Sequence, residues 1–228
     1  MENVKIALCL SGLIRNSFFC FPYIYNSFLN TDYNVDVFVH TWNDSPIMDL
    51  YKPKKIEIEN QKQILQQLLP LLKLNSNVRI EGNVQNNISM YYSIKKCFDL
   101  IADEEYDVVI RCRFDLLLQE KIKFKQIVDD IINKKYDIYI PNTEFNMGGY
   151  NDQLAIGSYE AMKIYSDCFF HIVNISNEIG RWHPETFLGK HLDKNNLKIK
   201  QDNYDYRIVR NVQPILHWPE NPYNYLNL

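Results

Sequence analysis

Three short apolar runs, each opening abruptly onto polar or charged residues, constrain this chain most. Val4–Leu10 (VKIALCL) stops at Ser11-Gly12, and Val35–His40 (VDVFVH) empties into Thr41-Trp42-Asn43. In Tyr106–Gln119 (YDVVIRCRFDLLLQ), the run Asp107–Ile110 is followed by Arg111, Arg113 and Asp115. Continuous apolar runs of this length read as strands covered on both faces. Between them lie segments with helical spacing. Ser17–Leu29 is one, and Gln61–Leu74 is another, which Pro70 ends or kinks. Met90–Ala102 is a third, capped by Ser89. Pro46–Pro53 and Asn83–Asn87 read as loop, and Val78–Glu81 as a short strand. Alternation of this kind predicts an α/β fold with a mostly parallel sheet flanked by helices.

The second half carries shorter elements. Leu116–Leu118 extends the third run, Ile122–Asn133 is an amphipathic helix, and Tyr136–Pro141 and Asp152–Ser158 are strands. Ser158 caps a helix over Tyr159–Phe170, with Glu160 in its first turn. Gly148-Gly149, the only Gly-Gly in a chain with seven glycines, predicts a mobile or tightly turned loop. Arg181-Trp182-His183-Pro184-Glu185 leads into a helix over Thr186–Leu192, and Tyr206–Trp218 supplies one or two closing strands. The tail 219–228 reads as a surface wrap. No repeat or linker divides the 228 residues, so a single domain is expected over 1–228, with a nucleotide-binding half to about 118 and an acceptor-side half after it.

A formal net charge of −3 gives no basic field, which argues against nucleic acid as a partner. The five cysteines are scattered and form no CxxC pair, so a disulfide framework or zinc site is not expected. A reducing, cytoplasmic setting fits them. No stretch approaches the roughly 18 apolar residues of a transmembrane span, and Met1–Arg15 is too mixed for a secretory signal. Membrane work would come through a lipid-linked substrate or another chain. Oligomeric state is not written in the sequence.

The polar ends of the runs are where chemistry is expected. A small-residue turn after a first strand, Ser11-Gly12 with Arg15 beyond it, exposes backbone N–H groups to an anion; a plain strand-to-helix turn reads the same way. His40 and Trp42 form a polar and aromatic mouth, with Trp42 stacking on a base or packing under a lid. Arg111 and Arg113 alternate along their strand, so they start on one face and could clamp a diphosphate; surface ion pairing is the plain alternative. Asp115 beside them should stay ionised and could hold Mg²⁺ or Mn²⁺ on phosphate oxygens. Further ligands would have to come from Asp152, from His217, or from the substrate. His217 is equally a buried or stacked ring beside Trp218. Asp152 fits acceptor binding, a general base, or a turn cap. Glu185 fits a first-turn acid favoured by the helix dipole, or a base facing a sugar hydroxyl.

Taken in order, VKIALCLSGLIR, VDVFVHTW, YDVVIRCRFDLLL, NDQLAIGS, HPETFLGKHL and ILHW resemble glycosyltransferases of the GT-A fold, especially small bacterial and large-virus surface-glycan transferases. The resemblance implies a Rossmann-like sheet, a nucleotide-diphosphate sugar donor, and a glycan or lipid-linked glycan acceptor. It implies Ser11, Gly12, Arg15, His40, Trp42, Arg111 and Arg113 near the donor. Asp152 would stand near the acceptor, Glu185 as base, and Asp115 with His217 on Mn²⁺ or Mg²⁺. RCRFD departs from the family's D-x-D motif, since only Asp115 matches an acid. Two other functions compete: a nucleotidyltransferase acting on a sugar phosphate, and a non-catalytic glycan-binding module using Trp42, Trp182 and Trp218. The first usually needs a glycine- and lysine-rich loop that SGLIRNSF lacks.

Overall fold

The computed structural model describes residues 4–120, 122–142 and 148–210. His217, Trp218 and the ILHW segment lie outside the described residues. The chain begins with strand β1 (Lys5–Gly12) and helix α1 (Ser17–Ile24), which continues as a π-helical turn to Leu29. Strand β2 (Asn34–Thr41), the short helix α2 (Ile47–Tyr51) and strand β3 (Lys55–Ile58) follow. Helix α3 (Gln61–Leu68) gives way to a 3₁₀ turn at Leu69–Leu71, where Pro70 interrupts it as expected. Then come β4 (Arg79–Ile80), α4 (Val84–Asp99), β5 (Val108–Cys112), β6 (Leu116–Leu118), α5 (Phe124–Ile132) and β7 (Ile138–Pro141). The last part holds β8 (Leu154–Ser158), α6 (Tyr159–Ile179), β9 (Arg181–Trp182), α7 (Pro184–Lys194), β10 (Ile199–Asp202) and β11 (Tyr206–Ile208).

The central sheet has seven strands in the order β10-β7-β8-β5-β1-β2-β3. β1 pairs in parallel with β2 and β5, β2 with β3, and β10 with β7. β8 runs antiparallel to both of its neighbours. Side chains alternate across the pleat. Ile6, Leu8 and Leu10 face α1 and α5, with Phe21, Ile24, Ile127 and Ile131. Ala7, Cys9, Phe38 and Val109 face α4 and α6, with Ile94, Cys97, Met162 and Tyr165. Both faces are covered, which is what the apolar runs require.

The reversal of β8 positions the site. Leu154 stands opposite Cys112, so the amino end of β8 meets the carboxyl end of β5. Asp152 and the residues after Cys112, although about 40 positions apart, are thereby brought to one sheet edge. Leu116–Leu118 does not continue β5. It pairs antiparallel with β11, setting Tyr206 opposite Leu118 and Ile208 opposite Leu116.

Several boundaries differ from the sequence expectations. Helix α4 begins before Ser89, because Asn83 caps it by accepting a hydrogen bond from the Asn86 N–H at 2.9 Å. Ser89 is buried inside the helix. Pro46–Pro53 contains α2 rather than loop alone. Helix α6 runs past Phe170, since Ile172 and Ile175 continue its buried stripe, and it stops at Gly180 with φ +67°. We expect Asn83→Ala to lower stability by about 1 kcal/mol, because it orphans an N–H of the first turn. Ser89 Oγ is buried with no hydrogen-bond partner among the described residues, so Ser89→Ala should leave stability unchanged or raise it, and urea denaturation of the two variants separates these outcomes.

Candidate active site at the carboxyl edge of the sheet

β1 ends on Gly12 with φ +111°, a backbone state that suits glycine. The chain there turns toward α1 and carries Arg15 to the sheet edge. Across from it, Asp115 follows β5 and is buried to 1% side-chain exposure. Arg113 Nε donates to Asp115 Oδ1 at 2.7 Å, and Arg113 Nη2 to Oδ2 at 2.9 Å. Arg15 Nη1 donates to the same Oδ2 at 2.9 Å. Burial raises the Asp115 pKa, but the hydrogen bonds and charge of Arg113, then those of Arg15, outweigh it and hold the carboxyl below its usual range. The backbone is joined in as well: Val209 N–H donates to the Asp115 carbonyl at 2.8 Å, and Asn16 Nδ2 donates to the Val209 carbonyl at 3.1 Å.

Arg111 lies one step further in and is 2% exposed. Its Nη1 donates to the Gln153 carbonyl at the entry to β8. It borders a small internal cavity with Ser11, Met162 and Tyr165, under α4 and α6. Arg111 and Arg113 therefore do not form a pair of equivalent exposed guanidiniums. One supports β8 from inside, and the other engages Asp115.

Beyond the arginines stand two acids. Asp152 is buried, and burial raises its pKa against the opposing charges of Arg111, Arg113 and His183. Glu185, in the first turn of α7, is pushed up to about 7 by burial and then by the charge of Asp152. Its backbone is fixed by close contact. A Cβ on Gly149 would stand 1.9 Å from the Glu185 carbonyl oxygen, and the Tyr150 N–H donates to that oxygen at 3.0 Å. The Gly-Gly segment is thus the tightly turned alternative, at least at Gly149, where only glycine fits. His183 caps α7, accepting from the Thr186 N–H at 3.4 Å, and Pro184 follows at the position it favours.

His40 and Trp42 sit to one side. His40 is fully buried, with Nδ1 at 2.7 Å from Ser93 Oγ and Nε2 at 2.8 Å from Glu59 Oε2. Trp42 stacks on Tyr92, with ring centroids 5.7 Å apart. Trp182, an aromatic candidate for sugar stacking, is fully buried against Phe187 and offers no face to a ligand.

A divalent cation fits these residues poorly. Both Asp115 oxygens carry guanidinium donors, so ligation would require Asp115 to release one of them. Among the described residues, His40, Glu57 and Glu59 form a group of metal-ligand type, with their nearest donor atoms within 4.8 Å of one another. Each has a partner already: His40 and the Tyr92 O–H on Glu59, and Lys96 on Glu57 at 2.9 Å. His217 lies outside the described residues.

The structure gathers Gly12, Arg15, Arg111, Arg113, Asp115, Asp152 and Glu185 at one edge, while Ser11 and His40 are buried beneath it. Sequence reasoning passed over Asn151 and Tyr206. Asn151 is fully buried, and its Nδ2 donates to the Tyr206 oxygen at 2.8 Å. Asn151 adjoins Asp152 in sequence, but nothing in a three-residue strand signals Tyr206.

No protein-family model and no curated protein sequence matches the chain. In fold, it resembles the crystal structure of mouse xyloside xylosyltransferase 1 in its apo form. The TM-score is 0.52 at 9% sequence identity, covering 87% of this chain and 84% of that one. The chain therefore has the fold of a known glycosyltransferase.

Two consequences can be measured. Asp115→Ala leaves Arg113 without its buried counter-charge and should cost about 3 kcal/mol in urea denaturation. Because the folded-state pKa of Asp115 is depressed, its contribution is present above the unfolded value near 4 and fades as pH falls below it. The variant should lose this part of the acid sensitivity. Glu185 has the opposite sign: stability is full below its unfolded value, about 4.3, and declines as pH rises toward 7. Glu185→Gln should therefore be more stable than the parent at pH 8, by on the order of 1 kcal/mol after allowing for partial exposure, and equal to it at pH 4.

Proposed function

We propose that the chain transfers a sugar from a nucleotide-diphosphate sugar to a hydroxyl of a glycan acceptor, free or lipid-linked. The observation that carries this reading is a chain of neighbours at the edge where open α/β sheets receive ligands: Arg15 joined to Arg113 through Asp115, Arg113 near Asp152, and Asp152 near Glu185. The shared fold with a glycosyltransferase supports it.

On the donor side, the turn at Ser11-Gly12 and the guanidiniums of Arg15 and Arg113 face the diphosphate. Arg111 and His40 support this side from beneath, and Trp42 borders the nucleoside. Breaking the sugar–phosphate bond puts negative charge on the departing diphosphate, and fixed cations lower that barrier without reorganising. Mn²⁺ or Mg²⁺ would add charge there only if Asp115 left a guanidinium, so the proposed neutralisation rests on arginine. On the acceptor side, Glu185 takes the proton of the attacking hydroxyl. A carboxylate held near 7 is a stronger base than an ordinary one and is still largely ionised slightly above neutrality. Asp152 orients the acceptor and keeps Glu185 from ionising early.

No helix among the described residues is long and apolar enough to cross a membrane. Cytoplasmic action on a soluble or lipid-linked acceptor is part of the proposal, as is a single catalytic domain over 1–228.

The test is release of nucleoside diphosphate from a panel of nucleotide sugars, with and without a glycan acceptor mixture. We expect at least one donor to turn over, and turnover to persist in EDTA. Arg15→Ala should raise the donor KM about 10-fold or more, given that a charge-assisted hydrogen bond contributes roughly 1.5–3 kcal/mol. Glu185→Gln should cut kcat by about 100-fold or more. Absence of turnover and of thermal stabilisation by every donor contradicts the proposal. Pyrophosphate release from a nucleoside triphosphate and a sugar phosphate would instead mark a nucleotidyltransferase.

A further inference from the structure

The hydrogen bonds around Asn151 constrain where the Tyr206 hydroxyl can donate. Gln153 N–H donates to Asn151 Oδ1 at 2.9 Å. A backbone N–H is a donor without ambiguity, so the other end of the amide is the NH₂ group. That group lies 2.8 Å from the Tyr206 oxygen and only donates. The phenol oxygen is consequently the acceptor in this bond, and its own hydrogen points elsewhere.

The neighbouring groups show where it can go. Tyr206 is half-buried, and its electrostatic neighbours are Asp152, Glu185 and Arg111. Burial, followed by the charges of the two acids, pushes its pKa up to about 12, so the proton stays on the ring oxygen at any working pH. Its placement is also fixed in the fold. β11 pairs with β6 directly after Asp115, and Asn151 directly precedes Asp152. The same sheet edge therefore carries carboxylates that take protons and a phenol constrained to give a hydrogen bond.

We propose that Tyr206 is an acceptor-binding residue, whose O–H donates to the oxygen of the sugar hydroxyl that Glu185 deprotonates. This rests on the glycosyl-transfer reading above. An attacking hydroxyl has one proton and two lone pairs. Glu185 takes the proton, Tyr206 holds one lone pair, and the other is left aimed at the anomeric carbon. The hydrogen bond fixes the direction of attack, and no electrons or protons pass through Tyr206.

The test compares Tyr206→Phe and Asn151→Asp with the parent, using the donor that turns over. Three quantities are read: the rate of transfer, the acceptor KM and the donor KM. Tyr206→Phe should lower transfer 10-fold or more and raise the acceptor KM, with the donor KM moved less than 2-fold. Asn151→Asp keeps the phenol but offers it a carboxylate, which draws the hydrogen inward and should reproduce the same split. Tyr204→Phe, on the same segment, serves as the control and should leave all three unchanged. Transfer by Tyr206→Phe within 2-fold of the parent overturns the inference, as does an equal rise in the donor and acceptor KM while the fold, followed by circular dichroism, is intact. If Asn151→Asp folds and transfers normally, the assigned hydrogen direction is wrong. If the parent releases no diphosphate from any donor, it is the glycosyl-transfer reading that fails.

Discussion

The site depends on one buried carboxylate. Asp115 joins three parts of the chain that are far apart in sequence: the turn after β1 through Arg15, the end of β5 through Arg113, and the segment around β11 through its backbone carbonyl. A single unpaired carboxylate in that position would be expelled or neutralised. With two guanidiniums it remains charged, and the guanidiniums in turn are held at the sheet edge. This arrangement holds a half-exposed Arg15 and a mostly buried Arg113 at the edge without leaving either to roam on a long flexible stem. Part of each cation's charge is spent on Asp115, so the edge attracts an anion while staying tolerable to the fold.

A second constraint is the direction of β8. In a wholly parallel sheet, the residue before a strand lies at the edge opposite the residues after its neighbour. Reversing β8 brings Asp152 to the end of β5, and the following long helix α6 then returns the chain to β9 and α7. Glu185 arrives at the start of α7, pinned through Gly149 by a contact that no side chain larger than hydrogen allows. Cation-rich and acid-rich halves of one edge thus come from chain direction and close packing, rather than from any local motif.

Much of this was legible in the sequence, for identifiable reasons. β1, β2 and β5 are covered on both faces, so their apolar runs are continuous and their polar ends conspicuous. The edge strands β3 (KIEI) and β10 (IKQD) are half charged and carry no such signal. Helix α4 starts earlier than its sequence suggests, because its first turn, VQNN, is mostly polar and partly exposed, and its cap is an asparagine rather than the nearby serine. The polar strand ends point to Arg15, Arg111, Arg113 and Asp115 as neighbours, but not to their relations. That Arg111 turns inward, that His40 is sealed between Ser93 and Glu59, and that Asp115 is tied by two arginines all depend on side-chain packing, which spacing along the chain does not encode. Tyr206 carries no signal in the sequence, because its proposed role depends on the orientation of an amide 55 residues away.

The central claim is that a pyrophosphate group binds between the β1 turn and the end of β5. A crystal of the protein grown with the nucleoside diphosphate of its best donor tests this most directly. The account predicts phosphate oxygens within about 3 Å of Arg15 and Arg113 nitrogens, with Glu185 facing the space beyond the terminal phosphate. A nucleotide bound on another face, or at this edge with both arginines still turned wholly onto Asp115, would contradict it.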